Sequence, residues 1–240
     1  RQFDRYGPAY RWLVTLSGLT GAIAMILSAT IVNVAVPSIM GAYGVGQDVA
    51  QWAATAFLST MVASQLLNSW VVRALGQRLA YAMTLTIFVA GAFVCAFSPN
   101  IDVLIIGRIM QGFSAGIIQP LVLATMVSVF PRERRGFAVG MYGLGVTLAP
   151  SFGPLVGGVT IDLLTWRHAF LMPLPLVVLA FAGGLLFMPA KKFERRLPPF
   201  DWTGFILVCL ALVMVMRAIG NGHRWGWTSD LTLATAAIGI

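Results

Sequence analysis

One arginine lies inside a long apolar stretch, where an unpaired charged side chain is energetically unfavourable. Arg108 follows Asn100 by eight residues, in a segment that is otherwise almost entirely uncharged. A guanidinium in lipid costs at least ~2.5 kcal/mol unless it meets a partner or water. Two interpretations are open. The side chain snorkels toward the nearer membrane surface, or it faces a central cavity together with Gln111, one helical turn further on. We favour the second.

Neutral polar side chains share these apolar stretches, whereas acids and histidines avoid them. All eight acidic residues and both histidines lie at or beyond the ends of apolar segments. General acid–base catalysis and metal binding need such groups, so the sequence disfavours a protease, a metalloenzyme or another hydrolase. It predicts no enzyme, no metal and no cofactor. The candidates for a substrate or coupling site are Ser28, Asn33, Arg108, Gln111 and Gln119.

Glycine and proline are concentrated in one segment, from residue 136 to residue 158. Small residues spaced four apart let helix backbones approach closely, and prolines free backbone carbonyls. Such pairs most often serve only helix packing, but their density here suggests a helix that slides or flexes against a neighbour. The candidate conformational residues are Gly145, Pro150, Gly153, Pro154, Gly157 and Gly158.

The composition of the chain indicates that membrane-spanning helices carry these groups. Of 240 residues, 58% are hydrophobic and 10% are charged, and the mean hydropathy is +0.85. An average soluble domain is about 25% charged, and about 20 apolar residues cross a bilayer as a helix. We therefore predict an all-α membrane protein. The eight predicted spans lie near Trp12–Met40, Val49–Val72, Arg78–Phe97, Ile101–Phe130, Gly136–Ile161, His168–Met188, Trp202–Gly220 and from Thr228 onward.

The basic residues alternate between the two ends of these spans. Twelve of the 16 Lys and Arg residues fall in the N-terminal segment or in the loops after spans two, four and six. The positive-inside rule places those segments, and hence the N-terminus, in the cytoplasm. The net charge of +8 is thus a topology signal and does not point to nucleic acid.

A basic loop with two prolines follows the sixth span. We predict a six-helix bundle over residues 1–190, a cytoplasmic linker over 191–200, and two further helices, the second incomplete, over 201–240. Because the sequence opens with Arg1 and stops in an apolar run, we expect it to be the N-terminal part of a longer protein.

Several motifs resemble the major facilitator superfamily, in particular its fourteen-helix drug:proton antiporter (EmrB/QacA-type) branch. The resemblance follows the family's order over essentially the whole chain, and the fifth-span motif is its most specific part. The matching segments are residues 27–37, Gln51–Trp52, residues 108–112, residues 150–158, Trp166–Arg167, residues 201–204 and residues 225–227.

The resemblance implies a major facilitator fold: two six-helix bundles around a midplane cavity, with two extra helices between them. Alternating access would come from the bundles rocking about the substrate site. Arg108 would assist proton or substrate coupling. The fifth-span motif would line the interface between the bundles, and Gly76 and Arg78 would belong to a cytoplasmic latch after span two.

This chain departs from the family pattern at three positions. Ser28 stands where the first-span motif usually carries an acid. Arg73 replaces an acid in the loop motif, and Pro173 replaces an asparagine at the start of span six. The first departure matters most, because a proton antiporter needs a group that changes protonation within the cavity.

The leading hypothesis is an efflux permease for amphipathic compounds in the bacterial inner membrane, driven by protons. The alternative is a lipid or metabolite exporter, or a facilitator, without classical proton coupling. A membrane enzyme or a structural subunit is the hypothesis from another class. By family analogy, a periplasmic adaptor and an outer-membrane channel are further candidate partners.

Overall fold

The computed structural model describes residues 6–190, 199–211, 214 and 229. Over the first of these ranges the chain forms a helical bundle, and no strand occurs among the described residues. Single helices form spans one, three, four, five and six. They run over Ala9–Tyr43, Gln77–Ala96, Ile101–Val129, Arg135–Leu163 and Leu174–Phe187. Short 3₁₀ turns at Arg132–Arg134 and His168–Phe170 precede spans five and six.

Span two is a helical path in three pieces, Gln47–Ala50, Trp52–Gln65 and Asn68–Leu75. Two breaks separate the pieces, one at Gln51 and one at residues 66–67, and the backbone remains right-handed at both. The Leu67 N–H donates to the Ser64 carbonyl, three residues back, at 3.0 Å, which is a 3₁₀ bond. By length and composition, five helices of the described chain are apolar and long enough to cross a membrane; the interrupted span two is not one of the five.

Span one lies at the centre of the bundle and packs against spans four, five and six. Span four packs on its other sides against spans two and three. Small residues bring these backbones together. A Cβ at Gly112 would collide with the Phe57 carbonyl oxygen, and one at Gly107 would lie 2.5 Å from the Cys95 sulfur.

Contacts at the two ends of the bundle show how the loops are distributed. At one end Tyr6 packs edge-on against Phe187, and Trp12 packs against Phe130 and Phe137. The start of span one, the end of span four, the start of span five and the end of span six therefore share that end. The predicted basic segments adjoin these positions. Successive loops therefore lie at alternate ends of the bundle, with the basic ones at this end.

The opposite end is held by a second set of contacts. The Tyr43 hydroxyl lies 2.6 Å from the Ser98 hydroxyl, and Arg167 donates to the Ser98 carbonyl at 3.0 Å. Trp166 packs edge-on against Tyr43. These contacts join the end of span one to the loops before spans four and six.

The chain divides into two compact units, Arg1–Leu197 and Pro198–Ile240. In the second unit, a helix over Trp202–Ala211 begins after Asp201, whose carboxylate accepts the Gly204 N–H at 2.8 Å. Apart from residue 229, the predicted eighth span lies outside the described residues, as does the motif at 225–227.

Candidate functional site: a buried arginine between spans one, two and four

Arg108 lies on span four and is completely buried, with 0% of its surface exposed. Its side chain does not snorkel, because it is enclosed by the bundle and two of its three nitrogens, Nε and Nη1, donate to groups inside it. Nε donates to the carbonyl oxygen of Ala53 on span two at 2.8 Å. Nη1 donates to the carbonyl and hydroxyl oxygens of Ser28 on span one, at 3.3 and 3.2 Å. The arginine thus joins three spans.

Gln111 completes this cluster from the same helix. Its Oε1 accepts from Arg108 Nη1 at 2.9 Å, as expected for side chains three residues apart on a helix. The sulfur of Cys95 on span three lies 3.8 Å from the same oxygen and 3.6 Å from the Leu104 carbonyl oxygen. Gln111 is also 0% exposed. The hydrogen bond between Arg108 and Gln111 lies within this bundle, and the prediction that the two side chains face a central cavity stays a prediction.

Two aromatic rings cover the guanidinium. Its carbon lies 4.3 Å from the ring centroid of Phe57 on span two and 5.9 Å from that of Phe170, before span six. A cation over an aromatic face gains about 2 kcal/mol or more when both are desolvated. The rings therefore offset part of the cost of burying the charge.

The cluster carries a positive charge and no acid from the described chain. The described acidic residues are all exposed, namely Asp48, Asp102, Glu133, Asp162 and Asp201. Within the described chain, two nitrogens of the cluster have no hydrogen-bond partner, Nη2 of Arg108 and Nε2 of Gln111. Both are buried, so the site has unused donors as well as an unbalanced charge.

The other two predicted polar residues lie outside this cluster. The side chain of Asn33 is exposed. Gln119 lies three turns along span four from Arg108. Its side-chain amide nitrogen lies 3.8 Å from the Met61 sulfur. Its backbone carbonyl oxygen accepts from the Tyr142 hydroxyl at 3.2 Å. Gln119 thus connects spans two, four and five, and its role in binding substrate stays a prediction.

The fifth-span motif has two faces. Gly145, Gly153 and Gly157 lie against span one, where a Cβ at Gly153 would collide with the Thr30 hydroxyl and one at Gly157 would lie 3.3 Å from the Ile31 carbonyl. Pro154 is exposed, and a Cβ at Gly158 would meet no atom within 4 Å. One face therefore packs span five inside this bundle and the other is open.

An open groove of about 630 Å³ continues along span five toward its start. Its lining is almost entirely apolar and comes from Phe137, Gly140, Met141, Gly143, Leu144 and Thr147. Pro150, the remaining motif residue, is partly buried. Together with Pro154 and Gly158, the groove gives span five a surface that this bundle leaves uncovered.

Gly76 and Arg78 have separate roles at the end that carries the basic loops. Gly76 adopts φ +78° between the end of span two and the start of span three, a region that residues with a Cβ rarely enter. Arg78 donates from Nε to the Met188 carbonyl at the end of span six, at 2.9 Å. The loop motif therefore fixes span three to span six within the bundle.

Sequence reasoning missed four contributors to the arginine site: the carbonyl of Ala53, Phe57, Cys95 and Phe170. A backbone acceptor leaves no trace in residue identity. Phe57 and Phe170 resemble many other apolar residues of the chain, and only the packing shows that their rings meet the guanidinium. Cys95 fitted the pattern of a small buried hydrophobe.

The Major Facilitator Superfamily model matches residues 18–239. The chain belongs to this superfamily. The structure of the peptide-transporter-family protein PepTSo agrees in fold, with a TM-score of 0.68 at 17% identity over 97% of this chain and 51% of that one. The protein is a multi-pass membrane protein of a transporter family, with the all-α fold that the sequence predicted.

The chain is similar to transporters of several kinds, among them the multidrug export protein EmrB of Haemophilus influenzae, at 25% identity over 94% of this chain and 44% of the relative. The chain is 31% identical to YhcA of Bacillus subtilis, an uncharacterized transporter, over 92% of this chain and 41% of the relative. It is 27% identical to EmrY of Escherichia coli, a probable multidrug resistance protein, over 92% and 43%. It is 26% identical to the riboflavin transporter RibZ of Clostridioides difficile, over 88% and 46%. The chain spans less than half the length of these relatives.

Proposed function

We propose that this bundle is part of an efflux transporter that exports amphipathic small molecules by alternating access. The observation that carries the proposal is Arg108, a buried charge that joins three spans at a stability cost. Membrane-buried charges mark substrate, ion or proton pathways in transporters. A multidrug export protein among the relatives supports the substrate class. We propose that Ser28 and Gln111 act together with Arg108 at this site.

Proton coupling is the finer part of this proposal. No described acid lies near Arg108, so a protonatable carboxylate would come from outside the described residues. The open face of span five, with Pro154 and Gly158, would meet the second bundle and limit leakage along the interface. The 191–200 segment would be a cytoplasmic linker to spans seven and eight.

Reconstitution of the full-length protein into liposomes tests both parts. Fluorescent amphipathic dyes should leave the liposomes faster when a proton gradient is imposed, and a pH-sensitive dye should report counterflow of protons. Dye export that is indifferent to the gradient would remove antiport and leave export standing. The Arg108→Gln protein, prepared identically, is the matched control for leakage through lipid.

The alternative is a metabolite exporter or facilitator without proton coupling, and Ser28 favours it. The side chain that the family usually makes acidic is here a hydroxyl bonded to Arg108. RibZ shows that a relative of similar identity transports a polar metabolite, riboflavin. Uptake or exchange of riboflavin without any dye transport would favour this alternative over drug export.

For localisation we propose the bacterial inner membrane with the basic loops in the cytoplasm. An adaptor and an outer-membrane channel stay proposals from family analogy.

A further inference from the structure

We infer that the Arg108 cluster is a binding site for a small monovalent anion, which replaces the acid missing at Ser28. The ligand is either an inorganic anion such as chloride or the carboxylate of an acidic substrate. The substrate half of this inference rests on the proposed function, whereas the binding site itself does not.

The first argument is charge. Arg108 is fully buried, and none of the described groups around it is an acid. These groups are Ser28 from span one, Ala53 and Phe57 from span two, the Cys95 thiol from span three, Gln111 from its own helix, and Phe170. A buried charge without a counter-charge is costly, and pairing is the usual remedy. An anion at this site would supply the missing charge.

The second argument is that two neighbouring donors are unused. Nη2 of Arg108 and Nε2 of Gln111 are buried and have no partner in the described chain. The two groups that carry them are joined by a 2.9 Å bond between Nη1 and Oε1, so both nitrogens lie in one small region. The same bond uses Oε1 as the acceptor, which leaves the N–H₂ group of Gln111 as the unused end of the amide. Both donors suit an acceptor-only ligand.

The third argument is enclosure. Arg108 and Gln111 are each 0% exposed within this bundle alone. A carboxylate, whether it belongs to a substrate or to another part of the protein, reaches them when the spans separate. A small diffusing anion needs far less room. The cluster therefore favours an acidic ligand over a lipophilic cation, which the arginine would repel.

Thermal unfolding of the full-length protein in detergent tests the inference without any transport. Ionic strength is held constant with sodium isethionate, part of which is replaced by sodium chloride or sodium benzoate. Benzamide, which has the shape of benzoate without its charge, is the neutral control. At ten times the dissociation constant, linkage gives a rise in Tm on the order of 3 °C, which should grow further with the logarithm of the anion concentration. Benzamide should give no rise.

Two substitutions locate the effect. Ser28→Asp places a fixed carboxylate beside Arg108, so this protein should have a higher Tm in isethionate and no response to either anion. Ser28→Asn, its neutral counterpart, should keep the response. Arg108→Gln removes the charge and should also abolish the response, which keeps the test valid if Ser28→Asp does not fold.

Each outcome decides a point. A response to chloride alone identifies an inorganic anion, and a response to benzoate alone identifies a substrate carboxylate. A response to both means that the site accepts either. No response to either anion, or an undiminished response in Arg108→Gln, would overturn the anion site. Because no compartment is involved, failure of dye export in liposomes leaves these results unaffected.

Discussion

The Nη1 nitrogen of Arg108 lies 3.2 Å from the hydroxyl oxygen of Ser28. Two features of the sequence, a charged residue in span four and a missing acid in span one, are therefore one structural feature. A neutral partner at this distance satisfies a hydrogen bond but leaves the charge uncompensated. Several properties of the protein should depend on this contact.

Replacing Arg108 with Met should separate stability from activity. Replacing a buried ion pair by apolar groups is often neutral or stabilising by about 1–4 kcal/mol, whereas removing one partner alone leaves a buried charge unpaired. Arg108 has no acidic partner among the described residues, so a methionine of similar length leaves no counter-charge unpaired there. We expect an unchanged or higher Tm, together with at least a tenfold loss of transport in liposomes. Arg73→Met, at an exposed position, is the control. Full transport by Arg108→Met would contradict a role in the mechanism.

Replacing Gly112 with Ala should separate spans two and four. The added methyl group would collide with the backbone carbonyl of Phe57, which cannot rotate away as a side chain can. Overpacking of this kind typically costs about 1–3 kcal/mol. The expected readout is a lower Tm in detergent. At Gly41 a Cβ meets no atom within 4 Å, so Gly41→Ala should leave the Tm unchanged. Equal Tm values for the two variants would refute this packing.

The two faces of span five should respond differently to the same substitution. Gly153→Ala introduces a methyl group against Thr30 and should lower the Tm by disturbing the contact with span one. Gly158→Ala meets no atom of the described chain and should leave the Tm unchanged. If the open face meets the second bundle as proposed, Gly158→Ala should slow transport. Wild-type transport by that variant would count against the proposed interface.

Replacing Arg78 with Ala should loosen the end of span six. The bond from Nε to the Met188 carbonyl involves a charged donor, and such bonds contribute about 1.5–3 kcal/mol. Backbone amides near Met188 should exchange hydrogen faster in the variant, as measured by mass spectrometry. Arg73→Ala, five residues earlier, provides the comparison. Identical exchange in the two variants would show that the contact does not hold span six.

The proposed orientation predicts opposite labelling at two loop positions. In a protein from which all native cysteines have been removed, a cysteine at position 100 should react with an impermeant maleimide added to intact cells. A cysteine at position 133 should react only after the cells are opened. Both native residues, Asn100 and Glu133, are exposed, so access is not limited by burial. Equal reactivity in intact cells would overturn the orientation.

Hydropathy and charge predicted the spans because lipid imposes length and polarity directly on sequence. The ends of span four illustrate this: Ile101–Phe130 was expected and Ile101–Val129 is found. Span two was expected to be unbroken over Val49–Val72 but changes to a tighter turn at Leu66–Leu67. Hydropathy averages over a window and does not detect a local change in hydrogen bonding, such as the bond from Leu67 to Ser64.

The candidate site was predictable only in part. Arg108 and Gln111 could be paired from their spacing, since residues three apart on a helix are neighbours. The contact with Ser28 depends on how spans one and four pack, and eighty positions separate the two residues. Asn33, five residues beyond Ser28 on the same helix, lies on a different face. A single sequence shows where the polar residues are along each helix. It does not show how each helix is rotated about its axis, and therefore which neighbour each polar residue meets.

Tyr43, Ser98 and Arg167 secure one end of this bundle, and Arg78 with Met188 secures the other. Helices clamped at both extremities resist shearing past one another. Alternating access would then require this half to tilt as a solid block, with substrate admitted by its displacement against another part of the protein. Covalent staples placed between residues 43 and 98 should accordingly leave turnover intact.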